Sequence, residues 1–368
     1  MVVKQSIYTF SYRIFLIKVS LSNSNRICLL SEPDDTNSFG SSVAINDKYL
    51  AVSDPGANRI VIYQKDSRNQ WCRNREIYPP EIHDGVSNSF GTSIVTLDNN
   101  ALMIDSVTGP PARYFNNPDN FSIRKNTIQE SSSQIFFGKY FIDLNKEQEA
   151  TPIYLPAQRN EGFVQFHILS EGKLKLVTIP DNNEELFGVS TVLYNNLLLL
   201  GSPSHSKNGK GWLFDLKALD NQPTELTTKN GYLGDTVAVS EQFAAVGNSG
   251  TKKYSPDYIL EPKTLIRSLK NHSNVITDYQ GKLSLDKNIL VVMLPIVRRF
   301  LRSTSLLKVF RLDEDATPNL ILERKYSSLD ERYLARAWIQ NGWLITVYRI
   351  GRKGNIQLCL ESIEQIIN

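Results

Sequence analysis

A phenylalanine-glycine pair returns along this chain at Phe39-Gly40, Phe90-Gly91, Phe137-Gly138 and Phe187-Gly188, roughly fifty residues apart each time. Each pair opens a run patterned as β-strand. A unit of that length and periodicity belongs to solenoids, propellers and arrays, in which neighbouring units bury one another's faces. The first repeat, residues 38–80, holds four strands. Val43 and Ile45 alternate on the first, Tyr49 to Val52 form the second, Ile60 to Tyr63 the third, and Cys72 to Tyr78 a more polar fourth. Asn46-Asp47-Lys48 and Asp54-Pro55-Gly56-Ala57-Asn58 supply the turn chemistry between them.

The same order recurs with decay. Repeat two carries SFGTSIVTLDNNALMIDSV, repeat three IFFGKYFIDLN, and repeat four LFGVSTVLYNNLLLLGSPS. Repeat five keeps only the glycine, in YLGDTVAVSEQFAAVGNSG; repeat six starts near Tyr279-Gln280-Gly281, and repeat seven starts from Arg332. The expected fold is all-β: a seven-bladed β-propeller of four-stranded antiparallel blades, forming a single domain over residues 1–368. The amino terminus aligns with the end of a repeat, so Arg26 to Leu30 is expected to supply the outer strand of the last blade and close the ring. That closure sets Cys28 beside Cys359, and buried free thiols are the expectation there.

The glycine after the aromatic permits a close backbone approach at the blade junction, and the aromatic fills the space between adjacent sheets. This pattern resembles the FG-GAP repeat of integrin alpha-chain propellers. In that family a glycine-alanine-proline closes the second strand; here Ser53-Asp54-Pro55, Gly201-Ser202-Pro203 and Leu155-Pro156-Ala157 stand in that place. The resemblance implies a secreted or cell-surface binding protein with an adhesion-type role. It also implies a place to look for calcium, the link between first and second strands. Most such links here are short turns, as in Asp98-Asn99-Asn100 and Asp286-Lys287-Asn288, too short to wrap a cation that takes 6 to 8 oxygens. The longer loop of repeat three places Asp143, Asn145 and Glu147 at alternate positions, with Gln148 where the turn glycine belongs and Thr151 where the closing aspartate belongs. No metal and no cofactor are expected.

Composition narrows the function classes. A net charge of +3 on 368 residues gives no whole-molecule attraction to nucleic acid, so none is expected as a partner. The apolar run from Ile14 to Val19 is interrupted by Lys18 and falls well short of the roughly 20 residues of a membrane span. His83, His167, His205 and His272 are scattered, and no nucleophile elbow or phosphate-binding loop is present. A polarised charge pattern is present instead. The links between second and third strands of repeats four to seven carry Lys207, Lys210, Lys252, Lys253, Arg298, Arg299, Arg302, Arg352 and Lys353 and no acidic residue. The blade-to-blade links carry Glu32, Asp34, Asp35, Glu81, Asp84, Asp181, Glu184, Glu185, Asp330 and Glu331. Guanidinium and ammonium groups clustered on one loop face hold carboxylates or sulfates. The reading is a non-enzymatic module that binds a protein or acidic polysaccharide through that face. The alternative is a propeller hydrolase or lyase with carboxylates converging at the central channel.

Overall fold

Short apolar runs bounded by Asn, Asp, Gly and Ser become strands here, and a run that is apolar on both alternating faces must be covered on both sides. The computed structural model of the chain describes residues 26–30, 38–68, 70–78, 90–97, 101–106, 114–116, 122–124, 153–154, 158–160, 163–170, 173–180, 187–188, 190–203, 209–218, 221–228, 233–248, 263–299, 302–327, 332–350 and 355–367. After β1 (Arg26–Leu30), the first sheet contains β2 (Val43–Ile45), β3 (Tyr49–Asp54), β4 (Arg59–Lys65) and β5 (Trp71–Ile77). The second contains β6 (Phe90–Leu97), β7 (Ala101–Ser106), β8 (Tyr114–Asn116) and β9 (Ser122–Arg124). The third contains β10 (Ile153–Tyr154), β11 (Gln158–Asn160), β12 (Phe163–Ser170) and β13 (Lys173–Pro180). The fourth contains β14 (Ser190–Tyr194), β15 (Leu197–Ser202), β16 (Lys210–Asp215) and β17 (Thr224–Thr227), and the fifth β18 (Thr236–Val239), β19 (Phe243–Gly247), β20 (Thr264–Ser268) and β21 (Asn274–Thr277). The sixth contains β22 (Lys282–Asp286), β23 (Ile289–Arg299), β24 (Arg302–Leu312) and β25 (Pro318–Ser327). The last contains β26 (Arg332–Gln340), β27 (Trp343–Ile350) and β28 (Asn355–Ser362), followed by the short helix α1 (Ile363–Ile367).

Five sheets, the first, second, fourth, fifth and sixth, are four-stranded antiparallel meanders in chain order. In the third, β10 and β11 lie along different stretches of β12, with β13 on its other edge. In the last, β1 pairs antiparallel with β28, so its four strands come from the two ends of the chain. Cys28 lies directly opposite Cys359 in that register, and the two form a disulfide rather than the free thiols the sequence suggested. The reason is geometric: pairing the strands sets the two side chains on the same face with no residue between them.

From the fourth sheet through the last to the first, adjacent sheets pack face to face with apolar clusters between them. Leu199, Leu213, Val239 and Val246 join the fourth sheet to the fifth; Ala245, Ile266, Leu290 and Phe310 join the fifth to the sixth. Val291, Leu307, Leu334 and Tyr348 join the sixth to the last. Val52, Val61, Trp71, Val347 and Leu358 join the last back to the first. Second strands β3 and β19 are covered on both faces and buried along their whole length, whereas the outer strands β17 and β21 are mostly exposed or half-buried. Polar stitches run between the same neighbours. Ser240 Oγ donates to the Lys287 carbonyl at 2.7 Å, the Leu283 amide donates to Thr236 Oγ1 at 3.0 Å, and the Gly342 amide donates to Asp286 Oδ2 at 2.7 Å. This is a propeller-type fold.

The recurrent glycine has a definite task. Gly40 and Gly188 both have φ of 74°, and their amides donate to the carbonyls of Ser53 and Gly201 at 2.8 and 2.9 Å, closing a turn against the end of the second strand. Gly234, with φ of 99°, makes the same bond to Gly247 at 3.2 Å, with buried Leu233 in place of the phenylalanine. Phe39 and Phe187 are buried beside their glycines. Phe90-Gly91 departs from this, since both residues belong to β6; Phe137-Gly138 lies outside the described residues. The described first-to-second links are tight turns. Asn46 Oδ1 accepts from the amides of Lys48 and Tyr49 at 2.9 and 2.7 Å, and Asn195, Lys287 and Asn341 take left-handed conformations. The Asp143-to-Thr151 loop lies outside the described residues.

Gly40 and Gly342 (φ 73°) separate two costs at nearly equal φ. A Cβ at Gly342 meets nothing, while one at Gly40 meets Val347 Cγ2 at 3.3 Å. Gly342→Ala is expected to cost about 1 kcal/mol, the left-handed penalty of an L-residue, and Gly40→Ala more than that. Equal shifts in denaturant midpoint would show that the close approach to Val347 is slack.

Candidate functional site

Links between second and third strands emerge at the end of each sheet where one sheet passes to the next, and the sequence places the basic residues expected to bind a partner in them. The structure treats them unequally. The sixth sheet's link is much shorter than its sequence suggested. β23 runs on through Arg299 and β24 starts at Arg302, with Arg299 opposite Arg302 and Arg298 opposite Ser303. The three arginines are therefore strand residues at the tip of a hairpin, not loop residues. β22 stops pairing at Met293 and β25 at Thr304. The last stretch of the hairpin is thus a two-stranded ribbon, carrying its tip roughly 15 Å past Leu294 at the usual rise per residue. A register shift between Leu294 and Val297, at Pro295, marks where the ribbon departs from the sheet.

Lys210 opens β16 and lies over the Trp212 ring, 4.8 Å from its centroid, with its ammonium 3.3 Å from Glu225 of β17. Its charge is matched within its own sheet. Lys207, Lys252, Lys253, Arg352 and Lys353 lie outside the described residues.

Sequence reasoning missed the buried charges. At the β3–β4 link, the fully buried Asp54 lies 3.4 Å from Arg59 Nε, and Arg59 Nη1 donates to Glu76 Oε2 at 3.1 Å. Where the chain ends meet, Glu361 of β28 accepts from both Arg324 Nη1 and Nη2 at 2.6 Å, and Arg26 Nε of β1 lies 3.1 Å from the same carboxylate. Arg26 also donates to the Tyr348 hydroxyl, which is 2.9 Å from that of Tyr326. Hydrogen bonding to Glu361 raises the Arg324 proton affinity above arginine's ordinary value against the opposing effect of burial. Burial, followed by the neighbouring Tyr348, raises the Tyr326 phenol far above its usual range. Both shifts move Arg324 and Tyr326 further from titration at physiological pH, and the cluster is a clamp joining β25, β28 and β1. Only Arg26 and Glu361 facing each other in the β1–β28 pairing could have signalled it, and that requires knowing the register.

The described residues include no group of three or more His, Cys, Asp or Glu arranged to hold a metal ion. No helix among them is long and apolar enough to cross a membrane.

The sequence matches no protein-family model and no curated protein. Solved structures with a similar backbone arrangement include the polysaccharide lyase Uly1, at 10% identity over 88% of this chain and 90% of that one, with a TM-score of 0.49. Another is the WD40 domain of SCAP from fission yeast, at 8% identity over 87% of this chain and 83% of that one, with a TM-score of 0.43. A protein from Lactobacillus plantarum aligns at 10% identity over 77% of this chain and 84% of that one, with a TM-score of 0.42. Likeness at this level concerns the fold alone.

Glu361→Gln leaves two guanidinium groups facing an uncharged amide in a buried setting, and is expected to destabilise the protein by about 3 kcal/mol. The exposed pair Lys270–Glu314, at 3.7 Å, is the control, and Glu314→Gln is expected to cost less than about 0.5 kcal/mol. Comparable losses for the two in chemical denaturation would remove the clamp from the account.

Proposed function

We propose that this chain is a binding module rather than an enzyme: one seven-bladed propeller over residues 1–368, closed by its amino-terminal strand, that engages a protein or acidic polysaccharide through its basic loop face. The pairing of β1 with β28 supports the closure, and the unbroken packing from the fourth sheet through the last and first to the second supports a ring. A frame in which each sheet is covered by its neighbours is rigid, and its end faces are free to carry recognition.

The observation that carries the reading is the extended β23–β24 hairpin with Arg298, Arg299 and Arg302 grouped at its tip. Three guanidinium-bearing residues on a ribbon beyond the sheet can reach the carboxylates or sulfates of a large partner that a flat face would not engage, and arginine binds such groups through two parallel hydrogen bonds. In the sequence, Lys207, Lys252, Lys253, Arg352 and Lys353 fall in the corresponding second-to-third links, and they belong to the proposed basic set on that ground. Lys210, matched to Glu225, contributes less. The resemblance to FG-GAP repeats points the same way, toward adhesion at a cell surface or in a secreted setting.

The test is retention on an immobilised sulfated or carboxylated polymer. The triple variant Arg298→Ala, Arg299→Ala, Arg302→Ala is expected to elute at markedly lower salt than the parent, with an unchanged thermal midpoint, because the residues lie at a hairpin tip. Unchanged retention, insensitive to salt, would discard the basic-face reading.

A further inference from the structure

A second cationic site lies at the junction of the last sheet with the first, built from residues outside the basic links. Arg336 stands on β26 and Arg349 on β27. In the β26–β27 register Arg336 is opposite Val347, so Arg349 is its diagonal neighbour two residues along the same face. That face turns toward the first sheet, since Ile345 and Val347 alternate with Arg349 and belong to the cluster shared with Val43, Val52 and Phe39. The Gly40–Ser41 turn lies directly over it. Arg336 Nη1 donates to the Ser41 carbonyl and, at 3.4 Å, to the Gly40 carbonyl. These bonds pin one guanidinium across the junction and leave its Nε and Nη2 donors unassigned. Arg349 is exposed and makes no hydrogen bond or ion pair among the described residues.

We propose that Arg336 and Arg349, side by side against the Gly40–Ser41 turn, form a binding site for a sulfate- or phosphate-type oxyanion. With no carboxylate bonded to Arg349 among the described residues, the two monocations repel one another, and an anion seated between them relieves that repulsion while accepting from both planar forks. Arg336 remains open to solvent by area, but its head group is shielded by the backbone of the first sheet; this shielding, followed by the positive charge of Arg349, presses its proton affinity below arginine's ordinary value. The anchored arginine supplies a fixed fork and the unattached one closes over the ligand. Gly40 is part of the site, since its left-handed turn aims the Gly40 and Ser41 carbonyls at Arg336. This site does not depend on the hairpin reading, because it uses neither the hairpin nor the link lysines.

The test compares thermal midpoints in low-millimolar sodium sulfate with those in sodium chloride of equal ionic strength, where general salting effects act on all variants alike. The parent is expected to gain about 1–3 °C from sulfate, as linkage gives for a ligand several-fold above its dissociation constant. Arg349→Met is expected to lose that gain, and Arg349→Gln serves as the second variant should methionine alter packing. The hairpin triple variant is expected to keep the gain, which separates failure of this site from failure of the basic-face reading. A sulfated oligosaccharide provides the other arm: a shift at concentrations where inorganic sulfate gives none assigns the anion to a polymer, and equal potency assigns it to the free ion. A gain retained in both Arg349 variants, a gain lost only in the hairpin variant, or no gain in the parent overturns the site.

Discussion

The pairing of β1 with β28 is the contact on which the rest of the molecule leans, because it joins residues 331 positions apart and places the amino-terminal strand on the edge of the last sheet. Five residues of strand are a small area to bear that task, and four different kinds of interaction are concentrated on them. The backbone ladder satisfies an edge that would otherwise be open. Leu29 is buried in the cluster between the last and first sheets. Arg26 and Cys28 reach Glu361 and Cys359. A cross-link between residues so distant removes about 6 kcal/mol of conformational freedom from the unfolded chain in the loop-entropy treatment. The ionic clamp adds direction, because Glu361 holds Arg324 of the sixth sheet and Arg26 of β1 together.

Much of this architecture was legible in the sequence, since it depends on short-range rules repeated along the chain. The positive φ at Gly40, Gly188 and Gly234 admits glycine with little penalty, and the residue before each is buried at a junction where a large apolar side chain fits. Second strands such as Leu197–Ser202 read as continuous apolar runs because they are buried on both faces, and turn residues fall where left-handed backbone is needed. The strand boundaries in the first repeat, and the pairing of Arg26 to Leu30 with the last strand, followed from the same alignment.

Features that depend on register and on contacts across sheets were not legible. The disulfide needs Cys28 and Cys359 to be exact partners, which periodicity alone does not fix. The hairpin bearing Arg298, Arg299 and Arg302 looked like a loop because Pro295 and the charged run interrupt the apolar pattern, yet backbone pairing continues past them. Asp54 and Glu361 are acidic residues in strands with nothing local to mark them as buried; their arginine partners come from across a turn or from another sheet. Arg336 and Arg349 carry no local signal for the same reason, being thirteen positions apart in sequence and diagonal neighbours only once β26 and β27 pair.

A frame secured covalently and ionically holds its strands in place whatever the charge at the tip of the β23–β24 hairpin. The most direct measurement is peptide mapping of the folded, unreduced protein with thiol alkylation. The account predicts a cross-linked pair of peptides, one containing Cys28 and the other Cys359, with Cys72 alone modified. Recovery of Cys28 and Cys359 as separately alkylated thiols would contradict it.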